Sequence, residues 1–168
     1  ILGPHTEALS GDGRIAEKLG PWTLAFDTTS FFQVNTGQAE RLFRYAVQQA
    51  EDAKELLELY SGVGSLTCFL ASRARVTAVE EWRSAVAMAE RNMKNNGLEA
   101  RLLCAPAEEA VGDLRGSYGA VVVDPPRDGC DRTVLEAIHA FRVPQVVYVS
   151  CNPATLARDA RILAGHGY

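Results

Sequence analysis

The sequence predicts an α/β protein with a Rossmann-like, doubly wound and mostly parallel sheet. Two observations lead to this prediction. From residue 55 onwards, short apolar runs alternate with stretches of helical spacing, a pattern typical of a parallel sheet with helices on both faces. The first run, 56–60, breaks at Gly62 and Gly64 before a helical pattern begins. A strand, a glycine turn and a helix make the first half of a nucleotide-binding βαβ unit.

Length and composition predict one soluble globular domain. The chain has 168 residues, of which 47% are apolar and 23% are charged, and this length suffices to bury most of its apolar surface. Its apolar runs are all shorter than the ~18 residues of a membrane span, and its first residues lack the pattern of a signal sequence. The net charge of −4 argues against strong nucleic-acid binding by this segment alone, because phosphate contacts need clustered Lys and Arg.

The first 35 residues predict a loop and hairpin segment. Residues 1–21 carry several Gly and Pro and are expected to form a loop or a short edge strand. The alternating run 22–26 predicts a strand, and 31–34 predicts the second strand of a hairpin.

Residues 36–168 predict the main domain, in which helices and strands alternate. A first helix, capped by Asn35 or Thr36, is expected to run to about Glu51. Strands are expected at 55–60, 75–80, 100–104, 120–123 and 146–150. The helices that follow them are expected at 65–73, 82–95, 106–111, 131–141 and 153–163.

Polar and reactive residues follow four of these strands. They lie at 61–65, at Glu80, at 124–127 and at 151–153. Because the carboxyl ends of parallel strands meet at one edge of the sheet, and ligands bind there, we expect these residues to form one site.

The glycine turn and Glu80 predict a nucleoside ligand. Glycines let a ligand lie against bare backbone, and an acidic residue at the tip of the second strand can accept both hydroxyls of a ribose. Gly62 and Gly64 are followed by Ser65 and Leu66, with no third glycine at the dinucleotide spacing. Since a pyrophosphate needs close backbone approach, this favours a nucleoside without phosphates, such as S-adenosylmethionine (AdoMet), over NAD.

Two loops carry candidate chemical groups. Asp124 begins a loop stiffened by two prolines, where its carboxylate can accept hydrogen bonds from a ligand or a base. Cys151 precedes a predicted helix, whose positive dipole end lowers the pKa of a nearby thiol. A thiolate at the mouth of a cofactor cleft is a candidate nucleophile.

The other cysteines give weaker signals. Cys68 and Cys104 are expected to be small buried residues, and the role of Cys130 stays open. The four cysteines form no C-x-x-C pair, so neither a metal site nor a disulfide is favoured. Free thiols fit a reducing, cytoplasmic environment.

Together these motifs resemble the RNA 5-methyluridine methyltransferases, which methylate uridine in tRNA and ribosomal RNA. The matching stretches are 32–35, 58–64, 79–80, 124–129 and 148–159, and the last is the most specific. The resemblance implies an AdoMet methyltransferase fold, an RNA substrate and a covalent mechanism in which Cys151 attacks C6 of the uracil. It also implies an AdoMet site lined by Gln33, Tyr60, Ser65, Glu80 and Asp124.

The chain also differs from that family. The family's general base is a glutamate after the last helix matched here, and two further strands, an RNA-binding domain and the iron–sulfur cysteines of some members have no counterpart in these residues. We therefore expect the central part of a longer enzyme, which alone would bind AdoMet without turnover.

Alternative interpretations remain at this stage. Another AdoMet-dependent methyltransferase, acting on an amine, would not need Cys151. A module that binds AdoMet without catalysis is the third interpretation, and an NAD-dependent dehydrogenase is disfavoured by the missing third glycine.

Overall fold

A computed structural model describes residues 14–27 and 35–168. A hairpin of β1 (Arg14–Leu19) and β2 (Trp22–Asp27) precedes α1 (Thr36–Gln49). The strands of the main sheet are β3 (Glu55–Leu59), β4 (Arg75–Glu80), β5 (Arg101–Cys104), β6 (Ala120–Val123) and β7 (Val146–Tyr148). The helices that follow them are α2 (Ser65–Ala71), α3 (Arg83–Asn95), α4 (Ala107–Asp113), α5 (Arg132–Ala140) and α6 (Pro153–Gly165).

The main sheet is parallel throughout, in the order β5-β4-β3-β6-β7. β3 lies at the centre, and the chain moves outward first through β4 and β5 and then through β6 and β7. The strand order therefore reverses next to β3, which is the switch point where ligands bind in doubly wound sheets. The predicted fold class is confirmed.

Side chains of the central strands alternate between two apolar cores. Leu56, Ala78 and Val122 face one core, which contains residues of α1, α2 and the hairpin. Leu57, Val121 and other odd-numbered strand residues face the second core, with residues of α4 and α5. A buried Leu or Val side chain stabilises the fold by roughly 1.5–3 kcal/mol, so this two-sided burial explains why the strands are continuous apolar runs.

The N-terminal hairpin is confirmed, but its strands differ from the predicted ones. β2 pairs with residues 14–19, which were predicted to form a loop or a short edge strand. The connection is Gly20-Pro21, and Gly20 has φ 59°, as in a two-residue hairpin turn that begins with glycine. The predicted partner strand 31–34 lies outside the described residues.

Asn92 of α3 and Asn96, the C-cap of that helix, bind the outer edge of β2. Asn96 exchanges hydrogen bonds with the backbone of Thr23, through Oδ1 at 3.0 Å and Nδ2 at 2.9 Å. Asn92 does the same with Ala25, at 2.7 and 2.9 Å. These amides supply the hydrogen bonds that a third strand would make, so the hairpin is attached to the domain by polar as well as apolar contacts.

Within the described residues, none of the helices combines the length and the apolar character needed to cross a membrane.

Candidate active site

The turn after β3 exposes bare backbone. Tyr60, Gly62 and Gly64 all have positive φ, at 65°, 55° and 80°. A Cβ at Gly64 would lie 3.0 Å from Cβ of Ala89 in α3, whereas one at Gly62 would meet nothing within 4 Å. Gly64 is thus required for packing against α3, and Gly62 leaves open space that a ligand can fill.

Glu80 connects the end of β4 to this turn. Its side chain is 8% exposed. Oε2 accepts a hydrogen bond from the Gly62 amide at 2.9 Å, and Oε1 accepts one from the Trp82 amide at 3.0 Å. Each carboxylate oxygen has a second lone pair, so Glu80, which the backbone orients, can accept further hydrogen bonds; its predicted role toward a ribose stays a prediction.

A second buried carboxyl group, Glu58, lies beneath Glu80 and was not predicted as a site residue. Glu58 lies beside Ala78 of β4 and Val122 of β6. Because side chains alternate along strands, Glu80 and Asp124, two residues further on, lie on the same face. Glu58 is 2% exposed, and its Oε2 has no hydrogen-bond partner among the described residues.

Burial raises the pKa of two of these three carboxyl groups. It raises the pKa of Asp124 to about 6. Burial raises the pKa of Glu58 to about 8; the Thr67 side chain opposes this rise, and the charges of Asp124 and Glu80 add to it. A carboxyl cluster of this kind suits a ligand that is cationic and carries hydroxyl groups, and it repels a pyrophosphate.

The remaining predicted cofactor residues divide into described and undescribed ones. Ser65 is half-buried and begins α2, directly after Gly64. Tyr60 packs against the second core, where burial and the neighbouring Cys130 thiol raise its pKa above its usual range. Gln33 lies outside the described residues.

Cys151 is exposed and lies between β7 and α6. The next residue, Asn152, is the N-cap of α6 and accepts a hydrogen bond from the Ala154 amide at 3.1 Å. Its Nδ2 donates to the carbonyl of Arg127 at 2.9 Å. The structure thus places the Cys151 loop beside the loop that Asp124 begins.

The other cysteines follow the predictions only in part. Cys68 is buried as expected, but Cys104 is exposed, so that expectation was wrong. Cys104 ends β5, which lies at one edge of the sheet, and among the described residues no further strand pairs with it. Cys130 is buried, and burial raises the pKa of its thiol to about 11, which disfavours a thiolate.

The doubly wound parallel sheet is also found in solved methyltransferases. A SAM-dependent methyltransferase from Agrobacterium tumefaciens matches 95% of this chain and 59% of its own, with a TM-score of 0.74 and 19% identity. At that identity the likeness concerns the fold.

Closer relatives identify the family. The tRNA (uracil-5-)-methyltransferase family matches residues 21–166. The chain therefore belongs to the tRNA (uracil-5-)-methyltransferase family. The Pyrococcus abyssi tRNA (uracil-54, C5)-methyltransferase, solved in complex with S-adenosyl-L-homocysteine, is 34% identical with a TM-score of 0.84, over 92% of this chain and 38% of that one.

Two curated relatives are described as uncharacterized RNA methyltransferases. The protein from Gloeobacter violaceus is 44% identical over 100% of this chain and 37% of its own. The protein from Oceanobacillus iheyensis is 39% identical over 100% of this chain and 38% of its own. The chain thus spans less than two fifths of the length of these relatives.

Proposed function

We propose that this chain is the cofactor-binding and nucleophile-bearing part of an AdoMet-dependent RNA methyltransferase that acts on C5 of a uridine in tRNA or ribosomal RNA. One observation carries the proposal. The hydrogen bond from Asn152 to the Arg127 carbonyl brings the exposed Cys151 beside the Asp124 loop, at the edge of the sheet that holds Glu80. Family membership and the Pyrococcus abyssi homologue support the same reaction.

The residues present fit AdoMet better than a dinucleotide. Glu80 would accept the ribose hydroxyls, and the open space at Gly62 would let the ligand lie against the backbone. The Asp124 carboxylate would favour a positive charge nearby, and a protonated Glu58 beneath it would add no charge at neutral pH. The resemblance adds Tyr60, Ser65 and Gln33 to this site. When bound, AdoMet supplies a methyl group on a positively charged sulfonium.

Cys151 makes the target carbon reactive. Carbon C5 of uracil is a poor nucleophile. When the Cys151 thiolate forms a bond to C6, the electron pair of the C5–C6 double bond moves into an enolate-like system, and C5 can then take the methyl group. A base removes the C5 proton, the C5–C6 double bond forms again and the C6–S bond breaks. The resemblance assigns that base to a glutamate beyond the last helix matched here.

The net charge and the cysteines of the chain bear on how RNA is held and on the cellular environment. Since the net charge is −4, much of the grip on RNA phosphates would come from outside this segment. The four free cysteines support a reducing, cytoplasmic location.

Cofactor choice is the first test. Calorimetric titration with AdoMet, with NAD titrated in parallel, should give a measurable affinity for AdoMet alone. Binding of NAD instead of AdoMet by the folded chain would overturn the cofactor assignment.

The covalent step is the second test. RNA that carries 5-fluorouridine should accumulate a covalent adduct, because fluorine at C5 cannot be removed as a proton. Cys151→Ala should abolish the adduct. Cys104→Ala is the matched control, since Cys104 is the other exposed cysteine, and it should form the adduct at the wild-type rate. An adduct that survives Cys151→Ala would contradict the proposed nucleophile.

A further inference from the structure

Asp159, in the second turn of α6, holds a fully buried carboxylate that the reaction above does not use. The residue is 0% exposed. Its Oδ2 accepts hydrogen bonds from the Cys130 amide at 2.8 Å and from the Tyr148 hydroxyl at 2.6 Å, and its Oδ1 accepts from Nε of Arg158 at 2.7 Å. Although burial opposes ionisation, these three donors lower the pKa of Asp159 below its usual value.

Arg158 extends these contacts to the loop that Asp124 begins. Its Nη2 donates to the carbonyl of Asp128 at 2.8 Å and to that of Cys130 at 3.3 Å. Asp159 holds the guanidinium group in this position. The buried carboxylate is thus paired with Arg158, and Arg158 in turn binds the loop.

Thr155 of α6 and Asn152, the N-cap of that helix, bind the loop one residue earlier, at Arg127. Thr155 Oγ1 donates to the carbonyl of Arg127 at 3.1 Å, and Asn152 Nδ2 donates to the same oxygen at 2.9 Å. The four side chains occupy one face of the helix start, where residues three and four apart are neighbours. We call them the loop clamp: Asn152, Thr155, Arg158 and Asp159.

Gly129 shows how closely the loop approaches the clamp. It has φ +80°, and a Cβ there would lie 2.5 Å from Arg158 Nη2, 2.5 Å from Asp159 Oδ2 and 3.1 Å from Thr155 Cβ. The loop backbone thus lies closer to α6 than any residue with a side chain would allow.

We propose that the loop clamp positions residues 127–130 relative to the Cys151 thiol, and that Asp159 is its buried anchor. Cys151 lies directly before the helix that carries the clamp, so the bonds that hold the loop also fix its place relative to the nucleophile. The clamp residues are positioning residues. The inference rests on the proposed function, because it assigns them to the covalent step of that reaction.

The cofactor part of the site is held differently. Asp124 begins the loop, but its amide still donates to the Leu59 carbonyl at 3.5 Å, as a continuation of the sheet. Glu80 and Gly62 bind each other. Loosening the clamp should therefore impair attack on RNA and leave AdoMet binding nearly intact.

The test uses variants on both sides of this contact in the intact protein. Asp159→Asn removes an acceptor that faces Arg158, and Gly129→Ala pushes the loop away from the helix. Thr155→Val keeps the shape of the side chain and removes the hydroxyl group. Arg161→Gln is the matched control, because Arg161 is exposed on the same helix.

The rate of adduct formation and the affinity for AdoMet together separate a positioning role from general damage. For Asp159→Asn and Gly129→Ala, adduct formation with 5-fluorouridine RNA should slow by at least about 10-fold, as small misplacements of reacting groups do. Their AdoMet affinity should stay within roughly 3-fold of the wild type. Thr155→Val should show a smaller effect of the same kind, and it decides the question if Asp159→Asn does not fold. Amide hydrogen exchange at Cys130 should become faster.

The outcomes are distinguishable. If folded variants form the adduct at the wild-type rate, the positioning role is wrong and the proposed function stands. If AdoMet affinity falls as much as the adduct rate, the clamp is a general scaffold and the positioning role is wrong. If the wild-type protein binds AdoMet and forms no adduct, the proposed function fails and the inference fails with it.

Discussion

The Glu80 carboxylate accepts a hydrogen bond from the Gly62 amide at 2.9 Å. The tip of β4 therefore holds the turn after β3 in place. With the Trp82 amide bound to its other oxygen, Glu80 orients the bare backbone of the turn. In the proposed function the same side chain would also accept the ribose hydroxyls of the cofactor.

Replacing Glu80 should weaken AdoMet binding through both roles. Glu80→Ala leaves the Gly62 and Trp82 amides without their acceptor, and we expect the dissociation constant to rise by at least about 10-fold, as for lost hydrogen bonds to a charged group. Glu80→Gln keeps one acceptor oxygen, so its dissociation constant should lie between those of the wild type and Glu80→Ala. Calorimetry measures both. The exposed neighbour Glu81→Ala is the control, and an equal effect there would contradict a specific role for Glu80.

The two glycines of the turn should separate ligand binding from stability. Gly64→Ala forces a Cβ to 3.0 Å from Ala89 at positive φ, and we expect it to lower the free energy of unfolding by roughly 2 kcal/mol or more. Gly62→Ala meets no neighbour and should cost only about 1 kcal/mol of backbone strain. Its new Cβ would enter the proposed cofactor space. We therefore expect Gly62→Ala to weaken AdoMet binding, measured by calorimetry, more than it lowers stability in denaturant titrations. Unchanged AdoMet affinity would place the cofactor elsewhere.

Asn92 should contribute strongly to the stability of the fold. It is fully buried and connects the hairpin to the glycine turn, since Nδ2 donates to the carbonyls of Ala25 and Val63, each at 2.9 Å. Asn92→Ala leaves these groups and the Ala25 amide unpaired, and we expect a loss of about 3 kcal/mol of unfolding free energy in urea. Asn95→Ala, exposed on the same helix, should stay within about 0.5 kcal/mol. Equal effects at both positions would show that the connection to Val63 is unimportant.

The main domain was predictable because its signals are local. Apolar runs, Gly62, Gly64 and the residues after each strand are enough to place Glu80, Asp124 and Cys151 at one edge of a parallel sheet. The sequence also contains a signal for Glu58, because a charged residue inside an otherwise apolar strand is almost never fully buried unless it has a partner or a function. This burial is what gives the site its carboxyl cluster.

Other features depend on contacts that a local pattern does not contain. The exposure of Cys104 follows from the position of β5 at the edge of the sheet, and strand order is a property of the whole fold. The partner of β2 depends on the turn at Gly20. The family-specific run 148–159 was recognisable, but the reason for its side chains appears only where Arg158 and Asp159 meet the loop around Gly129.

Glu58 should make stability depend on pH. Its pKa is about 8 in the folded chain and near its ordinary value of about 4.3 when unfolded. Between these values the folded state retains a proton that the unfolded state has lost, so the free energy of unfolding falls as pH rises. The stabilisation is fully present below the unfolded pKa and is lost as pH rises through the folded pKa.

Glu58→Gln tests this directly, because it mimics the protonated carboxyl group and does not titrate. Near pH 4.5 the variant and the wild type should unfold at similar urea concentrations. Near pH 8 the variant should be more stable, by a difference on the order of 5 kcal/mol, since each pKa unit corresponds to about 1.4 kcal/mol. Glu55→Gln, on the same strand and half-buried, is the matched control: it removes the ion pair with Arg75, so it should not be more stable than the wild type near pH 8. If Glu58→Gln keeps the wild-type dependence on pH, Glu58 is ionised in the folded chain and does not form the uncharged part of the carboxyl cluster.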